Sequence, residues 1–485
     1  MQGQQLYETQ RCECINIDSM IPRDHILRQI HEHVNLSFIR DLTTPCYCSD
    51  NGRPSVDPEV FFRMNLIGYL FGINSDRKLC EAIYYNIAYR WFCRLNLTDE
   101  VPDHSSLTKI RDRLGAKVFE EVFTQIVKQC QTLGLVTGKR VMTDSTLFPA
   151  NASLDSLVPR DPNVEENIKE GAVPGIVSPK ARKISNKTHI STSDPDATLA
   201  FKRGDKRGLK YKGHISIDAG SRVILGIEVT TGAVHDSQRY ENQLANIKVK
   251  YNLNIEEAVA DRGYGSAKII NSLTEQGIIP YIPLFSNNSG KSALGQDEGF
   301  FYNTEENYCI CPAGNKLLQY SGTHLNTVRY FSTEKTCSAC SIKQECKAKR
   351  RDPVGKCYAR VVYRNIYQDL FYTVKTAMKT EKFRQALSER MWKTEGVISE
   401  IKLQQGLNRA KYRGVAKVQI QAYLAAITIN IKRIISFFTA ILCVLLMKLK
   451  RYSLLSLFGI NSRTMVKKLN GHKKHLFWQI VNFTA

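Results

Sequence analysis

Acidic residues are the scarce class in this chain. Its 485 residues carry 46 Asp and Glu against 68 Lys and Arg, a formal charge of +22. Such a shortfall of carboxylates favours a polyanionic partner, nucleic acid before a membrane surface. The plain alternative is a basic ribosome- or membrane-associated protein with no chemistry. Long apolar runs are also missing. The longest, Ile434 to Met447, falls short of the roughly 20 residues a bilayer span requires. It reads as a buried helix, and no membrane partner is expected. The opening Met1-Gln2-Gly3-Gln4-Gln5 lacks the basic and apolar stretches of a secretory leader. Without one, the 14 cysteines read as reduced thiols, small apolar groups or metal ligands rather than disulfides. What is present is ordinary: 43% hydrophobic and 24% charged residues, in a chain too long for one core and long enough for two to four domains.

Residues 1–138 read as helical. Asp57-Pro58-Glu59 opens a helix with Pro in its first turn, and its body, Val60 to Phe71, is apolar enough to be central. Ser75-Asp76 caps a second helix, to about Trp91. Asp103-His104-Ser105-Ser106 precedes a third, Leu107 to Leu114, and a fourth runs from Lys117 to Leu133. Apolar stripes show which faces are buried and not which helix would enter a groove, so the domain is a DNA-binding or dimerising module or a plain packing domain.

Arg140 to Thr146 follows as a short β-prone run ending in Asp144, Ser145 and Thr146. A carboxylate at the end of a strand is where open α/β sheets place ligands. After a loop-like stretch (151 to about 193), Lys210–Ile217 and Arg222–Thr230 read as a hairpin about Asp218-Ala219-Gly220-Ser221. Asp236 to Lys248 reads as helix. Glu257 to Asp261 repeats the earlier pattern, a short apolar strand with Asp at its end, then Gly263, Gly265 and a helix from Ser266. Ile278 to Ile282 is a further strand. The order predicts an α/β fold, a mixed sheet flanked by helices.

Residues 290–372 differ in composition. Cys309-Ile310-Cys311, Cys337-Ser338-Ala339-Cys340, Cys346 and Cys357 loosely resemble a zinc ribbon. The first pair is Cys-x-Cys, however, and there are more cysteines than four ligands need. Cys309, Cys311, Cys337 and Cys340, with Cys346 in reserve, are therefore candidates for Zn²⁺, against free thiols. From Thr373 the chain reads as helical. Glu395, Ile398, Ser399 and Lys402 share one helix face, and Arg409, Lys411 and Arg413 form a basic run around Tyr412. A carboxylate followed by evenly placed cations suits metal-dependent work on a polyanion; the alternative is an ordinary charged surface helix. A further helix runs from Val415 to about Ile434, and a basic tail follows from 448 to 485.

Asp144, Asp261 and Glu395 then form a set, and with their surroundings they resemble the DDE transposases of bacterial insertion sequences. Thr143-Asp144-Ser145-Thr146, Tyr211-Lys212-Gly213-His214, Gly232-Ala233-Val234-His235-Asp236 and Ala260-Asp261-Arg262-Gly263-Tyr264 look like the strand blocks of that family. Glu395 to Lys402, then Arg409 to Lys417, look like its helix block. Gly52-Arg53-Pro54-Ser55 through Asp103-His104-Ser105-Ser106 look like the N-terminal domain that precedes it. The likeness covers roughly residues 20–435. The sequence departs from the family pattern at Ser388 and Met391, where Tyr and Arg stand in many relatives; Arg390 lies one place early.

The resemblance implies a ribonuclease H-like catalytic domain in two parts, 139–289 and 373–435. An α-helical N-terminal domain would precede it, a Cys-containing basic insertion would divide it at 290–372, and a segment of unread role would follow at 436–485. It implies Asp144, Asp261 and Glu395 as catalytic residues that bind Mg²⁺ or Mn²⁺, and Arg390, Lys402, Arg409, Lys411 and Arg413 as DNA-binding residues. It further implies binding of terminal inverted repeats, end cleavage and strand transfer into target DNA, by a homo-oligomer on DNA in the bacterial cytoplasm, at the nucleoid. Three carboxylates suit that chemistry: two Mg²⁺ ions stabilise both the attacking and the leaving oxygens of an in-line displacement at phosphorus. Each Asp alone could be a mere helix cap. Two other readings keep the fold: a catalytically silent DNA-binding regulator, and a nuclease without strand transfer.

Overall fold

Four short polar side chains start the helices of the N-terminal region. Asp57 accepts from Glu59 N at 2.8 Å, Ser75 from Lys78 N at 3.4 Å, Asn86 from Tyr89 N at 3.2 Å and Asp103 from Ser105 N at 2.8 Å. Each satisfies a backbone donor that the first helical turn leaves unpaired. These residues belong to a computed structural model describing residues 16–48, 55–160, 184–202, 204, 206–284, 298–303, 305–324, 327–350 and 359–451. Cys357, Gly52-Arg53-Pro54 and the tail beyond 451 lie outside the described residues. The fold is mixed α/β and divides into two units. One comprises Met1–Thr137, Ser145–Val234 and Gly396–Ala485, the other Gly138–Asp144 and His235–Glu395. The division falls within the strand Arg140–Pro149 and within the helix Glu381–Leu403.

In the first unit the helix Pro58–Leu70 is buried nearly all round, as its composition predicts, with Phe61, Phe62, Met64 and Ile67 almost wholly enclosed. Its charges are enclosed in pairs: Arg63 meets Glu59 at 2.8 Å, and Arg94 reaches the other Glu59 oxygen at 3.0 Å. The helix expected from Asp76 to Trp91 is two helices, Asp76–Tyr85 and Ile87–Phe92. Asn86, in extended conformation, ends one and caps the next. The third and fourth expected helices are one run, His104–Thr132, kinked where Gly115 takes φ 63°, ψ 170°. Glycine adopts that conformation without the Cβ penalty other residues incur.

Also in this unit, Gly208–Asp218 pairs antiparallel with Ile224–Thr231, and Thr198–Ala200 pairs with Gly208–Asp218. The turn forms where the sequence predicts it, because Asp218 Oδ2 accepts from Gly220 N and Ser221 N at 3.0 and 2.8 Å. Packed on this hairpin and on the His104–Thr132 helix is one long helix, Val415–Arg451. It runs well past the expected end near Ile434. Two amides on it satisfy strand backbone. Asn430 accepts from Ile224 N at 2.8 Å and donates to Ile224 O at 2.9 Å, while Gln419 does the same with Val229 N and Ile227 O at 2.6 and 3.0 Å. Among the described residues its Val415–Val444 stretch is the one long and apolar enough to cross a membrane, and 61% of its most apolar window is buried against protein.

In the second unit, Arg140–Asp144 runs parallel to Glu257–Val259, which runs parallel to Ile279–Tyr281 through the crossover helix Ala267–Glu275. Helices Ser237–Tyr251, Gln368–Met378 and the first part of Glu381–Leu403 belong to the same unit. Residues 301–365 form an antiparallel sheet that the sequence reading missed. Its strand order is Lys349–Arg350, Arg360–Asn365, Thr327–Phe331, Lys316–His324, Tyr308–Ile310, Phe301–Asn303. Phe300, Cys309, Leu317, Tyr330 and Val362 form its core.

Candidate functional site

Two parallel strands lead to the two aspartates. Arg140 pairs with Glu257, Val141 with Ala258 and Met142 with Val259. Asp144 and Asp261 each come two residues beyond the last of these pairs. Asp144 does not end its strand, as the sequence reading expected; the strand continues to Pro149, while its partner stops at Val259.

Ion pairs fix the helix Glu381–Leu403 beside the starts of these strands. Arg140 is paired with Glu257, and Lys382 reaches the other Glu257 oxygen at 2.9 Å. Arg140 also meets Glu389 at 3.3 Å, and Lys393 meets Glu389 at 2.9 Å. Burial alone would raise the Glu257 carboxyl, but hydrogen bonds and charge from Arg140 and Lys382 outweigh it and hold the group below the usual range. One residue beyond Glu389, Arg390 Nη1 lies 2.6 Å from Asp144 Oδ2, with both side chains largely buried. Glu395 follows five residues on, about 7.5 Å further along the axis, and is exposed. Thr394, Val397 and Ile401 carry the buried face.

Asp261 caps a turn: its Oδ1 accepts from Gly263 N at 2.7 Å. A second carboxylate stands at this turn. A Cβ on Gly263 would lie 2.8 Å from Asp261 Oδ1 and 3.4 Å from Asp236 Oδ2. In sequence, Asp236 is simply the last residue of the Gly232-Ala233-Val234-His235-Asp236 block. Among the described residues no three His, Cys, Asp or Glu side chains are gathered as a metal-holding group. Carboxylate oxygens are the kind of donor that Mg²⁺ combines with water and substrate phosphate.

The five cationic candidates have different fates. Arg390 is committed to Asp144. Lys411 is committed to Asp76, Nζ to Oδ1 at 2.5 Å, beside Arg111, which meets Asp76 at 3.0 Å. Both are thus structural partners of carboxylates here rather than surface cations. Lys402 Nζ donates to Leu147 O at 2.9 Å, and Arg413 Nε donates to Asn151 O at 3.1 Å from an exposed position. Arg409 is exposed. At Gly396, beside Glu395, the helix is approached closely. The approaching group is a side chain: a Cβ there would lie 2.6 Å from Arg222 Nη2. Of the cysteine candidates, Cys309 is buried in the sheet core, while Cys311, Cys337, Cys340 and Cys346 are partly exposed and line one small cavity.

Two stretches match known families. Residues 15–113 match the family described as Transposase domain (DUF772), and residues 310–435 match Transposase DDE domain. Both matched families are transposase domains, the second of the DDE kind. Similar solved structures include a piggyBac transposase synaptic complex with hairpin DNA, at 11% identity and TM-score 0.33, covering 93% of this chain and 76% of that one. A pre-cleavage Mos1 transpososome matches at 12% identity and TM-score 0.16, over 48% of this chain and 61% of that one. A Mos1 mariner paired end complex with Mn matches at 12% identity and TM-score 0.16, over 52% and 65%. The chain thus spans less than two thirds of either Mos1 chain.

Proposed function

We propose that the chain is a transposase that binds the terminal inverted repeats of its own element, cleaves DNA at the element ends and joins them to target DNA. The observation that carries this reading is that two paired parallel strands lead, two residues beyond their last pair, to Asp144 and Asp261, in a chain whose flanking stretches both match transposase families. The proposed catalytic fold is ribonuclease H-like, in two parts (139–289 and 373–435) behind a helical N-terminal domain. The proposed working form is a homo-oligomer on nucleoid DNA in the bacterial cytoplasm.

Asp144 and Asp261 would hold Mg²⁺ or Mn²⁺, with Glu395 completing the set and Asp236 close by. The metal would supply a charge-neutralising centre for displacement at phosphorus. The chain's own part is to hold the carboxylates in place. Gly263 N orients Asp261, and the Arg140–Glu257–Lys382 pairs fix the strand starts against the helix that carries Glu395. The cationic surplus would draw in and retain the DNA backbone. The test is cleavage of a duplex carrying the element end, with Mg²⁺ or Mn²⁺. Asp144→Asn, Asp261→Asn and Glu395→Gln should each lower cleavage by roughly 10³-fold, a loss expected for removing a main electrostatic stabiliser, with end binding nearly intact. Normal cleavage by Glu395→Gln overturns its assignment.

One observation favours a second reading, the silent DNA-binding regulator. Arg390 occupies a carboxylate that the chemistry needs. Wild-type protein that binds ends yet never cuts, at any divalent metal concentration, would support that reading.

A further inference from the structure

Four of the five cysteines weighed for zinc meet around a single small cavity in the second unit, on elements far apart in sequence. Cys311 follows the strand Tyr308–Ile310 in a tight turn, Cys311-Pro312-Ala313-Gly314. There Gly314 N donates to Cys311 O at 2.8 Å, Cys311 N donates to Asn315 O at 3.0 Å, and Gly314 takes φ +77°. Cys337 lies in the short helix Glu334–Ser338, and Cys340 just beyond it. Their spacing of three puts both on one side of a helical turn, and the turn is closed by Cys340 N donating to Cys337 O at 3.4 Å. Cys346 enters from the loop before Lys349–Arg350. All four line a cavity of about 30 Å³, with Arg360 and Lys343 also in its wall.

Cys309 is different. It is wholly buried against Phe300, Leu317, Tyr330 and Val362. Its thiol lies within 3.6 Å of Ile310 O. Cys309 is absent from the cavity wall that the other four cysteines line.

We propose that Cys311, Cys337, Cys340 and Cys346 bind one structural Zn²⁺, and that Cys309 is core packing. The inference rests on the cavity and is independent of the transposase reading. Zinc bound by four thiolates is tetrahedral, with Zn–S near roughly 2.3 Å, and leaves no position for substrate. The four side chains line the space without yet forming a metal-holding group; binding would draw the sulfurs together and release their protons. The cations Lys343 and Arg360 offset the surplus charge of four thiolates around one Zn²⁺. Arg360 also ties the loops, donating to Lys343 O at 2.8 Å and Ala348 O at 3.0 Å.

The test uses the full chain purified without added metal. Metal analysis should find one zinc per chain. Replacing it with Co²⁺ should give the absorption of tetrahedral cobalt bound by four thiolates. Cys311→Ser, Cys337→Ser, Cys340→Ser and Cys346→Ser should each lose the metal, and Cys309→Ala should retain it in full. Because a serine variant can fail to fold, the cobalt spectrum of the wild-type chain stands as a separate readout. Wild-type protein that holds no zinc and gives no thiolate–cobalt spectrum overturns the site. Full zinc in Cys346→Ser, or its loss in Cys309→Ala, overturns the ligand set.

Discussion

Arg390 Nη1 lies 2.6 Å from Asp144 Oδ2, so the proposed metal ligand already has a cationic partner from the helix that carries Glu395. Both side chains are mostly enclosed, at 11% and 16% exposure, so solvent screens the pair less than a surface one. A guanidinium in that position competes directly with a divalent cation. Arg390→Gln should therefore tighten Mn²⁺ binding to the DNA-free protein. An ion pair worth about 1 kcal/mol corresponds to roughly fivefold. Titration followed by the signal of free Mn²⁺ measures it, and unchanged or weaker affinity would show that Arg390 does not contend with metal.

Two glycines near the acids separate by what they face. A Cβ on Gly265 would meet Pro283 O at 2.0 Å and Pro283 C at 3.0 Å, both backbone. Gly265→Ala should destabilise the protein by about 3 kcal/mol, since the loop after Asp261 must move. On Gly396 the Cβ meets only the end of the Arg222 side chain, which can swing away. There the helical preference of alanine over glycine, about 1 kcal/mol, offsets the displacement. Gly396→Ala should stay within about 0.5 kcal/mol of wild type. Denaturant unfolding of the two variants compares them, and equal losses would contradict the distinction.

Local chemistry carried much of this fold into the sequence. Asp57, Ser75, Asp103 and the Asp218-Ala219-Gly220-Ser221 turn are legible because each side chain bonds backbone within three residues of itself. Contacts between distant residues were not. Nothing near Lys411 in sequence marks Asp76, 335 positions away, as its partner. The sheet at 301–365 escaped because its strands are short and interleaved with charge, so alternation never runs long enough to register. The polar residues after Asp144 suggest a strand end, yet Thr146 and Phe148 continue the strand. Among the cysteines, spacing supplied the candidates, but only burial separated Cys309 from the others.

Asp76 sets an acid-sensitive joint. Burial would raise its carboxyl, but charge and hydrogen bonds from Lys411 and Arg111 outweigh that and hold it below its usual value. A depressed carboxyl contributes stability that is fully present above its unfolded value, about 3.9, and is lost as pH falls through the folded one. Asp76→Asn should cost about 3 kcal/mol at neutral pH, because it leaves Arg111 and Lys411 enclosed without their anion. The gap between wild type and variant should hold from about pH 5 to 7 and narrow below about pH 4. Urea unfolding across that range reads it. A gap that widens in acid would reverse the sign and exclude this account.

The cationic run Arg409-Lys411-Arg413 should divide by burial when DNA binding is measured against salt. With a net charge of +22, log affinity for nonspecific duplex should fall linearly with log salt, at about 0.9 per phosphate neutralised. Arg409 is exposed and is free to meet a phosphate, so Arg409→Ala should shallow that slope by about 1 without altering stability. Lys411 spends its charge on Asp76 at 2.5 Å, and burial lowers its own proton affinity. Lys411→Met should leave the slope unchanged and instead cost about 2 kcal/mol of stability, a half-enclosed pair falling between surface and buried values. Parallel binding series at about 50 to 200 mM salt, with unfolding curves for the same proteins, test both halves. If Lys411→Met shallows the slope as much as Arg409→Ala, the Asp76 pair opens on DNA and the lysine belongs to the interface after all.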